Sequence, residues 1–150
     1  MKHFTLPLLL LAALALAGCG RGHEDCCPLP EVPDWSVTVA TTGGLCAGSC
    51  DTRLNVSSFG AVTFERGAAD SEHRELPKAE LERLDRLVRE AQRSDLTSGP
   101  FTGTCPIAFD GQQRKLSIQR KDGTPIQLDS CADTLVTEAP LLVALDELAT

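Results

Sequence analysis

The sequence predicts an α+β fold, a two-layer domain in which an antiparallel sheet carries two helices packed on one face. Three observations predict it. Short runs alternate apolar and polar residues with period two, so each strand keeps one wet face. These runs occur in pairs around glycine-bearing turns, the pattern of hairpins. Two longer runs set their apolar residues at helical spacing, and helices of that kind bury a single stripe against a sheet.

The first strand is read at Trp35, Val37 and Val39, which alternate with Ser36 and Thr38. Gly43-Gly44 and the run Cys46-Ala47-Gly48-Ser49-Cys50 then form a loop. Leu54 and Val56 alternate with Arg53, Asn55 and Ser57, and Val62 and Phe64 alternate with Thr63 and Glu65. Phe59-Gly60 between them makes this pair a hairpin. Pro77 suits a first helical turn, and Leu81, Leu84, Leu87, Val88 and Ala91 share one helical face. The other face carries Glu80, Glu82, Arg83, Asp85, Arg86, Arg89 and Glu90 and reads as solvated, with Glu82–Arg86 and Asp85–Arg89 as supportive pairs four residues apart. A second hairpin is read at Leu116 and Ile118, the Asp122-Gly123 turn, and Ile126 and Leu128. Pro140, Leu141, Leu142, Leu145 and Leu148 predict a closing helix.

The N-terminus speaks to the compartment. Lys2 and His3 precede an uncharged apolar run from Leu8 to Ala17, the layout of an export signal. That run is shorter than the ~20 residues a membrane span needs. It ends in Leu16-Ala17-Gly18-Cys19, which resembles the lipobox of bacterial lipoproteins. The resemblance implies cleavage before Cys19 and a lipid on its sulfur. Residues 1–18 are then the signal peptide, 19–34 a lipidated cysteine and flexible tether, and 35–150 a single domain. Pro28, Pro30 and Pro33, interspersed with charges, keep the tether extended and solvated. The expected location is the cell envelope, on a membrane. Gly20 rather than an acid after Cys19 favours the outer membrane, facing the periplasm, in a host with two membranes.

The chain carries 14 Lys+Arg against 21 Asp+Glu, a formal charge of −7. An acidic surface of this kind argues against nucleic acid and against adhesion to anionic lipid by charge alone, so the lipid is the expected membrane contact. No Ser/His/Asp grouping is apparent, which predicts a chain that is not an enzyme and holds no cofactor. Six cysteines remain beyond Cys19, namely Cys26, Cys27, Cys46, Cys50, Cys105 and Cys131. An even number in an exported chain predicts disulfides, with connectivity open. Cys46–Cys50 closes a short loop. Cys105–Cys131 is feasible because Pro106 places Cys105 in a loop, whereas two strands of separation, about 9–10 Å, would be too far. Cys26 and Cys27 pair with each other or pin the tether to the domain. His23 beside Cys26 and Cys27 raises a Cys/His metal reading, but no second histidine stands at zinc spacing and His73 is alone, so no metal site is expected.

Cys46-Ala47-Gly48-Ser49-Cys50, followed by Leu54, Val56, Gly60, Val62 and Phe64, resembles an uncharacterised domain of bacterial envelope proteins with the motif Cys-x-Gly-x-Cys-Pro-x-Tyr. Asp51, Arg53 and Phe64 stand where that family has Pro, Tyr and Tyr. The entry from Val39 to Gly44 is similar to emfourin-type protease inhibitors. Neither resemblance implies catalytic residues. Glycine and a bridge preorganise the loop, which lowers the entropic cost of binding. Gly44, Leu45, Ala47, Gly48, Ser49 and the neighbouring Arg53 are therefore the candidate contacts for an envelope protein. Two alternatives stand beside this binding or inhibitory module: a structural or stress-related lipoprotein without a ligand site, and the metal-binding lipoprotein.

Overall fold

Alternation of Trp35, Val37 and Val39 with small polar residues builds the strand that lies in the middle of the sheet. A computed structural model describes residues 31–45 and 50–150. In chain order it contains β1 (Trp35–Gly43), β2 (Thr52–Ser57), β3 (Ala61–Arg66), β4 (Asp70–Glu75), α1 (Lys78–Glu90), α2 (Arg93–Leu96), β5 (Thr97–Pro100), a 3₁₀ turn (Pro106–Phe109), β6 (Gln112–Arg120), β7 (Ile126–Asp129), β8 (Asp133–Leu135) and α3 (Pro140–Leu148). The main sheet has six strands in the order β4-β3-β2-β1-β6-β7, all antiparallel, and β5 pairs with β8 in a small second sheet. The α+β class and the antiparallel sheet read from the sequence are both present. Val32–Thr150 forms one compact unit.

Register explains the core. Val39 stands opposite Leu54 on one side and Leu116 on the other, and Val37 opposite Val56 and Ile118. One sheet face is therefore a continuous apolar block. Leu84 and Val88 of α1 and Leu141, Leu142, Leu145 and Leu148 of α3 join the same buried cluster, so both long helices cover that face. Leu142 and Leu145 are fully buried, and each contributes about 2–3 kcal/mol by burial. The opposite face, with Ser36, Thr38, Asn55, Thr63 and Ser117, stays partly exposed. Gly60, at φ +84°, closes the β2–β3 hairpin through its N–H to the Ser57 carbonyl at 2.9 Å, a backbone region that glycine enters without strain.

Arginines finish both long helices. Arg120 of β6 donates through Nη1 to the carbonyls of Arg89 and Ala91, at 3.2 and 3.1 Å, where α1 ends. Arg74 of β4 donates to the Leu148 carbonyl at 2.6 Å, at the end of α3. A cation at a helix C-terminus meets both the orphan carbonyls and the negative end of the dipole.

The polar face of α1 differs from its expected role. Asp85 accepts a hydrogen bond from the indole Nε1 of Trp35 at 2.7 Å, and Arg83 pairs with Glu147 of α3 at 3.1 Å. Part of the charge run therefore ties α1 to the sheet and to the other helix. Asp85–Arg89 forms as expected, at 2.9 Å. Glu82 pairs with Lys78 at 3.7 Å instead of with Arg86, because a glutamate reaches one turn toward either end of a helix.

Candidate partner-binding end of the sheet

The inner sheet face changes character along the strands. Where the helices cover it, it is apolar. Beyond Val39 and Leu54 the same row continues as Thr41 and Thr52, with Gln112, Arg114 and Ser130 beside them. Here the helical layer gives way to a cleft of about 510 Å³, bounded also by Phe101, Pro106, Leu145 and Asp146. Arg114 grips Asp146 of α3 with two hydrogen bonds, of 3.1 and 2.6 Å. The pair spans sheet and helix at the edge of the cleft, and its fork geometry fixes both side chains.

The β1–β2 loop leaves the sheet at this end. Gly43 and Gly44 have φ of +81° and +96°. A Cβ on Gly43 would lie 2.9 Å from both Ile107 Cγ1 and the Gly111 carbonyl, so glycine is required for the approach of the 3₁₀ turn as well as for the backbone angle. The Gly43 N–H donates to the Asp51 carboxylate at 3.3 Å. Cys50 is disulfide-bonded, and its sulfur lies 3.0 Å from the Gly44 carbonyl. A bridged sulfur carries no proton, so this is a contact and not a hydrogen bond.

The second pinned segment lies next to the first. Cys105, just before the 3₁₀ turn, is bridged to Cys131, with Cα atoms 4.8 Å apart. Pro106 does place Cys105 outside a strand. The bridge spans 26 residues of chain, which corresponds to about 3.5 kcal/mol on the loop-entropy model. Asp129 orders the Cys131 turn, accepting from the Cys131 N–H at 2.9 Å and from the Gln113 amide at 2.7 Å. Burial pushes its carboxyl up, but Gln113, the Cys131 N–H and Lys115 together outweigh burial and hold it below the usual carboxylate range.

Three large apolar side chains are exposed on these segments: Leu45 at 85%, Phe109 at 76% and Ile107 at 44%. Of the sequence-derived contacts, Gly44 and Leu45 stand at this end. Arg53 lies on β2 with its guanidinium 4.0 Å from Glu65, so a carboxylate of the same chain already faces it. Ala47, Gly48 and Ser49 lie outside the described residues, as do Cys19, Cys26, Cys27 and Cys46. Ile107 and Phe109 escaped the sequence reading. Their signal was two large apolar residues in a segment bounded by Gly103 and Gly111, where no period buries them.

Among the described residues, no group of three or more His, Cys, Asp or Glu side chains is arranged to hold a metal ion. Among the same residues, no helix is long and apolar enough to cross a membrane. No protein-family model matches the chain, and no curated protein matches it at a significant level.

Proposed function

We propose that this chain is a lipid-anchored protein of the bacterial cell envelope whose disulfide-stabilised domain binds another envelope protein. The contact surface in this reading is the end of the sheet carrying the β1–β2 loop and the 3₁₀ turn. One observation carries it: Leu45, Ile107 and Phe109 stand exposed on two adjoining segments, one held by the Cys105–Cys131 bridge and the other packed against it through Gly43. Exposed apolar side chains on a preorganised backbone gain by burial against a partner and lose little chain entropy in doing so. The lipobox supports the anchor, and the Cys-x-Gly-x-Cys resemblance supports an envelope setting.

The test is capture from envelope extracts under non-reducing conditions, with mass-spectrometric identification. Leu45→Ser with Phe109→Ser should reduce capture of a reproducible partner at least tenfold while leaving the melting temperature nearly unchanged, about 1.4 kcal/mol of binding or more. Arg86→Glu, on the exposed face of α1, should do neither. Loss of capture by Arg86→Glu, with the apolar pair indifferent, would sink the proposed surface. If no partner is retained by any form, the structural-lipoprotein reading takes its place.

A further inference from the structure

The two edges of the main sheet are finished differently. At β7, Arg93 of α2 donates through Nη1 to the Gln127 carbonyl at 2.6 Å, and Asp133 accepts from the Asp129 N–H at 3.0 Å. The same two side chains pair with each other through Arg93 Nη2 and Asp133 Oδ1. The ion pair thus occupies the Gln127 carbonyl and the Asp129 N–H, and the Asp129 carbonyl accepts from the Ala132 N–H at 2.8 Å, so most of the groups a further strand would use are taken.

At β4, among the described residues, nothing closes the edge. The Leu76 N–H bonds the Gly60 carbonyl at 2.9 Å, so with the register Ala61↔Glu75 the inward-bonding residues are Glu72 and Arg74. Ser71, His73 and Glu75 then turn their N–H and C=O groups away from the sheet, and among the described residues none of these groups has a partner. All six residues of β4 are exposed. A charged edge strand ordinarily repels pairing. The charges of β4 are placed otherwise.

We infer that β4 pairs with β4 of a second copy of this chain, antiparallel about His73, joining the two main sheets into one. Hydrogen-bonded pairing requires outward-facing residues on both sides. Centred on His73, it sets Ser71 opposite the partner's Glu75, His73 opposite the partner's His73, and Glu75 opposite the partner's Ser71, each pair exchanging both backbone hydrogen bonds. In the same register Glu72 stands opposite the partner's Arg74, and Arg74 opposite the partner's Glu72. Opposite charges directly across a strand pair stabilise it. Sliding by two residues one way sets Glu72 against the partner's Glu72, and the other way Arg74 against the partner's Arg74, with fewer hydrogen bonds in either case. Charge and bond count therefore select a single register. The contact is two-fold and closed, so it ends at a dimer and uses up the open β4 edge of both main sheets.

Sedimentation velocity of the full chain tests this. The wild type should sediment with the mass of two chains, Glu72→Arg with the mass of one, and Glu72→Arg/Arg74→Glu with two again. Arg74 also holds the end of α3, so a second measurement guards against a double variant that fails to fold. In the proposed register the His73 Cα atoms face each other at about 5.5 Å, within disulfide reach. Under mild oxidation His73→Cys should therefore give a covalent dimer on a non-reducing gel, and Gln119→Cys, on the same sheet face, should not. A wild type that stays monomeric up to its solubility limit overturns the proposal, as does a dimer indifferent to Glu72→Arg or equal cross-linking of the two cysteine variants. A monomer that pairs only with an added Lys/Arg-rich strand peptide also overturns it, in favour of a basic partner.

Discussion

Trp35 is almost fully buried, and its indole N–H has one acceptor, the carboxylate of Asp85. Asp85→Ala leaves that donor buried and unpaired, and should cost about 1–3 kcal/mol by urea unfolding. Asp85→Asn keeps an acceptor and should cost less. The Arg89 hydrogen bond holds the Asp85 carboxyl below the usual range; burial opposes it and the Trp35 bond assists it. A lowered folded value means that the charged form contributes stability above the unfolded value, about pH 4, and that this contribution is lost as pH falls through the folded value. The stability gap between wild type and Asp85→Asn should therefore narrow between about pH 7 and pH 3. A gap unchanged across that range would refute the assignment. Asp85 could not be singled out in the sequence. It sits in a run of alternating charges, and only the fold brings Trp35, fifty residues earlier, beneath it.

At the scale of elements, periodicity revealed those long enough to show a buried stripe and missed those that are too short or exposed throughout. β1, β2, β3, β6, β7, α1 and α3 each show a buried stripe, and each was legible. β4 reads Asp-Ser-Glu-His-Arg-Glu and is exposed throughout, so no hydrophobic alternation could mark it. α2 has four residues, and its capping box, with Gln92 and Asp95 bonded reciprocally, is too brief for a helical period to register. The clamp on β7 was invisible for a related reason: Arg93 and Asp133 are forty residues apart and meet only in the folded chain. Asp133→Ala should leave the Asp129 N–H without its acceptor and Arg93 without its counterion. Hydrogen exchange at the Asp129 amide should then quicken, with a loss of about 1–3 kcal/mol in global stability. Unchanged exchange at that amide would show that the pair does not guard the edge.

For the molecule as a whole, the proposed anchor predicts that Cys19→Ser abolishes incorporation of labelled palmitate and moves the protein out of the detergent phase. Persistence of both would exclude a lipid on that cysteine. The candidate surface was only half legible. Gly43-Gly44 and the cysteines marked the loop, but Ile107 and Phe109 come beside Leu45 through the close approach of Gly43 to Ile107 and Gly111, which no local pattern encodes. The course of β1 has a geometric consequence. The strand starts at Trp35, where the proposed tether would meet the domain, and ends at Gly43, where the candidate surface begins. Nine extended residues separate the two points by about 27 Å. On the proposed function, the strand that forms the middle of the core therefore also acts as a spacer, and the proposed surface lies at the pole opposite the proposed attachment. On that reading, lengthening or shortening the tether changes how far that pole can reach, without altering the surface it presents.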